Sequence, residues 1–124
     1  QMNVPLSSSA GKAGVGSDGQ FIYVTSWYGP SIDRYDSQGN YLDSFEIDGM
    51  SSIIGLTYNG TNFFGTDGTN VIYEMDFDQP GLVAIYVIPE PIRGIAYNPD
   101  EDVFYGADLF SPIIAFDLQG NFVG

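Results

Sequence analysis

Residues 14–47 read GVGSDGQFIYVTSWYGPSIDRYDSQGNYLDSFEI. Turn residues divide this stretch into four short runs: Gly14 to Ser17, Phe21 to Thr25, Ile32 to Asp36 and Tyr41 to Ile47. The runs are rich in β-branched and aromatic side chains and show no helical period, so each reads as a strand. Asp18-Gly19 between the first two supplies the positive φ angles of a tight hairpin. Asp36-Ser37-Gln38-Gly39 between the last two has Asp first and Gly fourth, the type I turn preference. Asp36 and its counterparts are accordingly read as turn formers. One stretch of this length therefore encodes a four-stranded antiparallel unit.

Two further units follow. The second reads GLTYNGTNFFGTD and then VIYEMDFDQPGLVAIYVI; the third reads GIAYNPDEDVFYGAD and then IIAFDLQGNFVG. Gly14, Gly55 and Gly94 are 41 and 39 residues apart. Ser26, Asp67 and Asp108 are 41 and 41 apart, and Asp36, Asp76 and Asp117 are 40 and 41 apart. A period of about 40 residues with four strands is the size of a β-propeller blade. The fold class is therefore all-β, with three four-stranded antiparallel blades over residues 13–47, 54–88 and 93–124. The segment 1–6 completes the outer strand in which the third unit stops. Gly65 and Gly106 replace Val24 in the second strand and mark where an adjacent blade comes close. Propellers close with four to eight blades, so three blades are expected to be half of a six-bladed ring completed by a second chain; the alternative is a piece of a longer propeller. A homodimer is the expected assembly.

On these residues the units resemble NHL repeats, the first unit most closely. The shared pattern is a Gly-Ile-Ala-type strand, an Asp-Gly turn, an Ile-Tyr-Val-Ala-Asp strand, and an Ile-x-x-Phe-Asp strand ending at Gly. The resemblance implies a six-bladed propeller and leaves the activity open. Related propellers include protein-interaction modules, RNA binders, lactonase-like hydrolases and lyases, and fold does not fix function.

Composition narrows those classes. The 124 residues carry 3 cations (Lys12, Arg34 and Arg93), 16 carboxylates and a net charge of −13. Nucleic acid and anionic membrane surfaces are recognised by Lys and Arg, so neither is an expected partner. There is no Cys and no His, which removes the thiol nucleophile, the commonest general base and the commonest transition-metal ligand. Both facts weigh against an enzyme. Few Lys with much Gly, Ser, Asn and Tyr point to an exported protein, extracellular or periplasmic.

The loops between second and third strands share one face of a propeller with the links between blades. Trp27 and Tyr28, Asn70, and Phe110 lie in those loops, and aromatic platforms beside polar groups suit a protein, peptide or glycan ligand. Arg93 stands where the other units have Ala13 and Ile54; it either clamps an anionic ligand or pairs with Asp67 or Asp108. Asp67 and Asp108, with Ser26, end the second strand of each unit. They read either as Ca²⁺ ligands around a channel or as a repeat-wide hydrogen bond, recurrence favouring the latter, so no cofactor is expected. The leading functional expectation is a binding module. The alternatives are part of a propeller enzyme, either a metal-dependent lactonase-like hydrolase or a lyase, and an oligomeric propeller lectin.

Overall fold

A computed structural model describes residues 11–109 and 112–123. It holds eleven strands in three antiparallel sheets and no helix among the described residues. The first sheet is ordered β1 (Lys12–Ser17), β2 (Phe21–Ser26), β3 (Ile32–Asp36), β4 (Tyr41–Phe45). The second is β5 (Gly55–Tyr58), β6 (Phe63–Thr66), β7 (Val71–Asp76), β8 (Gly81–Val87). The third is β9 (Gly94–Asn98), β10 (Val103–Ala107), β11 (Ile114–Phe116). Here the fourth strand is reduced to a bridge between Phe116 and Phe122, backed by the Val123 N–H donating to the Ala115 carbonyl at 2.9 Å. The expected completion of this strand by residues 1–6 and Gly124 lies outside the described residues.

Side-chain chemistry sets the turns. Asp18 Oδ1 accepts from the N–H groups of Gln20 and Phe21, both at 2.9 Å. Asn59 Oδ1 does the same for Thr61 and Asn62 at 3.0 and 2.9 Å. Gly19 and Gly60 hold φ of 90° and 100°, the left-handed region where a Cβ is strained. The longer third hairpin places Asp102 at φ 53° instead, as Asp tolerates that region. Asp36 and Asp117 close the next turn alike, each Oδ1 accepting from two backbone N–H groups. The Asn40 N–H, foremost among these donors, holds the Asp36 carboxyl below its ordinary range.

The sheets stack face to face with β1, β5 and β9 as neighbours. Period-2 alternation sends one face of each sheet to the next. Between the first two sheets lie Tyr23, Ile32, Ile47, Ile53, Leu56, Phe63, Met75 and Phe77, all buried. Phe63 and Phe77 stack at 4.3 Å, and Tyr23 meets both edge-on at 5.0 and 4.9 Å. Between the second and third lie Phe64, Ile72, Ile88, Ile92, Phe104, Ile114 and Phe116. Each such side chain stabilises the fold by about 1.5–3 kcal/mol relative to exposure, so these two junctions supply most of the apolar driving force.

Glycine makes the close approach possible. A Cβ on Gly14 would sit 3.1 Å from the Ile54 carbonyl oxygen, and one on Gly55 would run into the Arg93 carbonyl oxygen. Ile54 and Arg93 are the residues just before Gly55 and Gly94, so one backbone approach recurs at both junctions. Gly65 and Gly106 are also tight, but against the links, and for Gly65 also against Met75 of its own sheet, and not the body of a neighbouring blade. Ile53 Cγ2 would lie 2.8 Å from a Cβ on Gly65, and Ile92 Cγ2 2.8 Å from one on Gly106.

Candidate functional site

The β2–β3, β6–β7 and β10–β11 loops share one end of the stack with the links 46–54 and 88–93. Backbone hydrogen bonds tie the two together. The Ile88 N–H donates to the Asn70 carbonyl at 2.9 Å, the Ile92 N–H to Thr69 at 3.3 Å, and the Arg93 N–H to Ala107 at 2.8 Å. Thr66 Oγ1, fully buried, donates to the Ile92 carbonyl at 2.7 Å. Thr25 occupies the same register in the first sheet and accepts from the Gly14 N–H at 2.9 Å. The loop end is thus a rigid platform, held from below by backbone.

Trp27 and Tyr28 stand on this platform. The Trp27 N–H donates to the Gly11 carbonyl at 3.1 Å, and a Cβ on Gly11 would touch Trp27 Cδ1 and Tyr28 Cε2 at 3.7 and 3.8 Å. Trp27 is 45% exposed and Tyr28 91% exposed. Asn70 is exposed in the β6–β7 loop of the second sheet, its carbonyl accepting from the Ile88 N–H. Leu109 is exposed at the end of β10; Phe110, its neighbour, lies outside the described residues.

Asp67 and Asp108, the two carboxylates that follow β6 and β10, are engaged. Asp67 Oδ1 accepts from the Thr69 N–H at 3.1 Å and its hydroxyl at 2.6 Å, while Oδ2 accepts from the Tyr73 hydroxyl at 3.2 Å. Burial first, and then the Asp67 charge, push the Tyr73 hydroxyl above its ordinary pKa, so it remains a proton donor. Asp108 pairs with Arg93, Oδ1 to Nε at 3.1 Å. Arg93 passes over the second sheet's loop, its Cγ 3.9 Å from where a Cβ on Gly68 would stand. The structure therefore brings Arg93 and Asp108 together beside the Asp67-Gly68 turn, and leaves Trp27 and Tyr28 apart on the first sheet. No group of three or more His, Cys, Asp or Glu arranged to hold a metal occurs among the described residues.

One pair was not singled out by motif reading. Lys12 Nζ bonds Asp33 Oδ2 at 2.8 Å, with both side chains nearly buried. Ser44 donates to the other oxygen of Asp33 at 2.6 Å. Lys12 stands two residues before Gly14, where Ile53 and Ile92 precede Gly55 and Gly94. Asp33 takes the register of Tyr73 and Ile114, opposite Val24 as they are opposite Gly65 and Gly106. A charge aligned with two buried isoleucines was the available signal.

Blades stacked through their first strands, each linked at one end to the next, define a β-propeller, and this chain is a module of three such sheets. Comparison with solved structures agrees. Myxococcus xanthus glutaminyl cyclase superposes over 88% of this chain and 49% of its own, with a TM-score of 0.76 at 17% identity. Kuenenia stuttgartiensis hydrazine synthase superposes over 98% of this chain and 37% of its own, with a TM-score of 0.68 at 13% identity. The chain thus spans about half and about a third of these propeller-type neighbours. No protein-family model and no curated protein matches the sequence.

Proposed function

We propose that this propeller module is a binding domain whose loop end, centred on Trp27 and Tyr28, receives a protein, peptide or glycan ligand. The observation that carries the reading is a tyrosine 91% exposed beside a half-exposed tryptophan, on a loop fixed by a backbone hydrogen bond to Gly11. A large aromatic side chain has only two χ angles to order, so it loses little conformational freedom on binding and buries much area. Asp67 and Asp108 at the same end are engaged in hydrogen bonds and an ion pair, so the aromatic pair, not these two carboxylates, carries the reading.

A second reading, part of a propeller enzyme, draws on the names of the two structural neighbours, a cyclase and a synthase. At 17% and 13% identity that likeness extends to the fold alone.

Titration of the single tryptophan's fluorescence against a glycan panel and a peptide panel tests the proposal. A saturable change that disappears in Tyr28→Ala is expected. A flat response to both panels, with near-ultraviolet circular dichroism showing the loop folded, would refute it.

A further inference from the structure

We infer that the outward face of the third sheet is a seam for the first sheet of a second copy of this chain, closing a six-bladed ring. The inference stands apart from the ligand reading, since it concerns the opposite faces of the stack and not its loop end.

The third sheet carries the same outward face that the first two bury. Ile32 and Ile72 point from β3 and β7 into the following junction and are fully buried. Ile113, their counterpart, is 74% exposed. Gly14 and Gly55 receive the carbonyls of Ile54 and Arg93, whereas Gly94 has nothing within 4 Å of a Cβ position. Around it Gly94, Ile95, Ala96, Tyr105, Ala107 and Ile113 line a depression of about 210 Å³. This is one half of a junction that the chain forms twice, with its partner half missing.

The matching half is on the same chain, with the internally paired Lys12 and Asp33 where the other sheets have Ile53 and Ile92, and Tyr73 and Ile114, respectively. At the internal junctions Leu56 and Ile95 project from the second position of β5 and β9 towards the preceding sheet, and Leu56 packs onto Gly16. Val15, the residue after Gly14, is their equivalent in β1, on the side away from the second sheet, and is 66% exposed. Seated on a second copy, Val15 would meet Ala96, and the Ala13 carbonyl would fill the space over Gly94 as Ile54 and Arg93 fill those over Gly14 and Gly55. Two unlike faces on one chain join head to tail, and such contacts make a ring when the rotation closes. Six is the multiple of three within the four to eight blades at which propellers close. Two copies therefore satisfy both faces at once, whereas apolar faces of this extent left open favour association.

Sedimentation velocity of the 124-residue chain at micromolar concentration reads the outcome. The expected species has twice the 13.5 kDa chain mass. Gly94→Val adds atoms where the single chain has room, so its far-ultraviolet circular dichroism should match the parent. Its dissociation constant should rise at least about tenfold, from overpacking at the seam. Val15→Glu, changing an exposed side chain on the other face, should do the same and covers the case in which Gly94→Val fails to fold. An equimolar mixture of the two variants can form one intact seam and should regain dimer. A well-folded parent monomer would overturn the inference and hand the face to a further blade or a different protein. So would a dimer indifferent to both variants, a polydisperse aggregate, or a mixture no more associated than either variant alone.

Discussion

Gly55→Ala tests whether backbone proximity between sheets sets the stability of this fold. The added Cβ would meet the Arg93 carbonyl oxygen inside any normal contact distance and Thr66 Cγ2 at 2.8 Å. Neither obstacle is the free end of a flexible side chain, so the second and third sheets must move apart. Overpacking of this kind costs about 1–3 kcal/mol. The buried bond from Thr66 Oγ1 to the Ile92 carbonyl, 2.7 Å long, spans the same gap, and stretching it adds about 1 kcal/mol. Lower entropy of the unfolded chain returns roughly 0.4–1 kcal/mol. A net loss of about 2 kcal/mol follows. At roughly 3–5 °C per kcal/mol for a chain of this size, Tm should fall by about 8 °C. Gly14→Ala is the internal comparison, because its Cβ would meet Thr25 Oγ1 at 3.0 Å and the Ile54 carbonyl at 3.1 Å. It should cost no more than about 1 kcal/mol. Differential scanning calorimetry on both variants decides the matter. Equal losses, or a milder loss for Gly55→Ala, would refute the claim that the second junction is limited by backbone contact.

Two further outcomes follow from polar groups inside the sheets. Lys12→Ile restores the residue found at the equivalent places in the other two sheets, yet it should destabilise by about 3 kcal/mol because it strips the cation from a nearly buried carboxylate; urea denaturation of Lys12→Ile, and of Lys12→Ile with Asp33→Val, should show the double variant recovering most of the loss. The Tyr23 hydroxyl is buried near the Arg34 guanidinium without a well-formed hydrogen bond, and burial, with the Asp18 charge second, pushes its pKa from 10.0 to about 12 against the opposing pull of Arg34. Because the folded value is raised, the protonated phenol contributes stability below pH 10 that is lost as pH climbs from 10 towards 12; Tyr23→Phe should therefore show a flatter fall of Tm across that window, and an unchanged slope would contradict the assignment.

The repeat made the strands legible because turn chemistry is local. Asp18, Asp36, Asn59 and Asp117 cap turns through their own neighbours, so their positions announce where strands end. The outer strands were less exact. The first was expected to run to Ile47, but β4 stops at Phe45, and Ile47 turns into the junction to be buried there. Gly65 and Gly106 were recognisable as close approaches, but the approaching groups, Ile53 and Ile92, come from links whose path no local pattern encodes. The loop end was harder still. Asp67 and Asp108 recur in register, yet one is held by Thr69 and Tyr73 and the other by Arg93. Register fixes which strand a carboxylate ends, whereas its partner depends on which link crosses above it.

A repeat gives its departures meaning, because every residue has two internal controls. Lys12 and Asp33 replace apolar residues on the face of the first sheet that looks away from the second, the same side as Val15. An internal junction has Ile, Gly and Tyr or Ile in that register; this one has Lys, Val and Asp, already paired within the sheet. A buried ion pair adds little net stability over an apolar pair, but it penalises any arrangement that separates its members or sets a second charge against them. The first sheet is thereby distinguishable from the second and third at a register where both of those carry apolar or aromatic residues. The same logic separates Trp27 and Tyr28 from the loops of the other two sheets. A repeat can supply three equivalent platforms, but a ligand that meets only one aromatic pair sees a single site per chain.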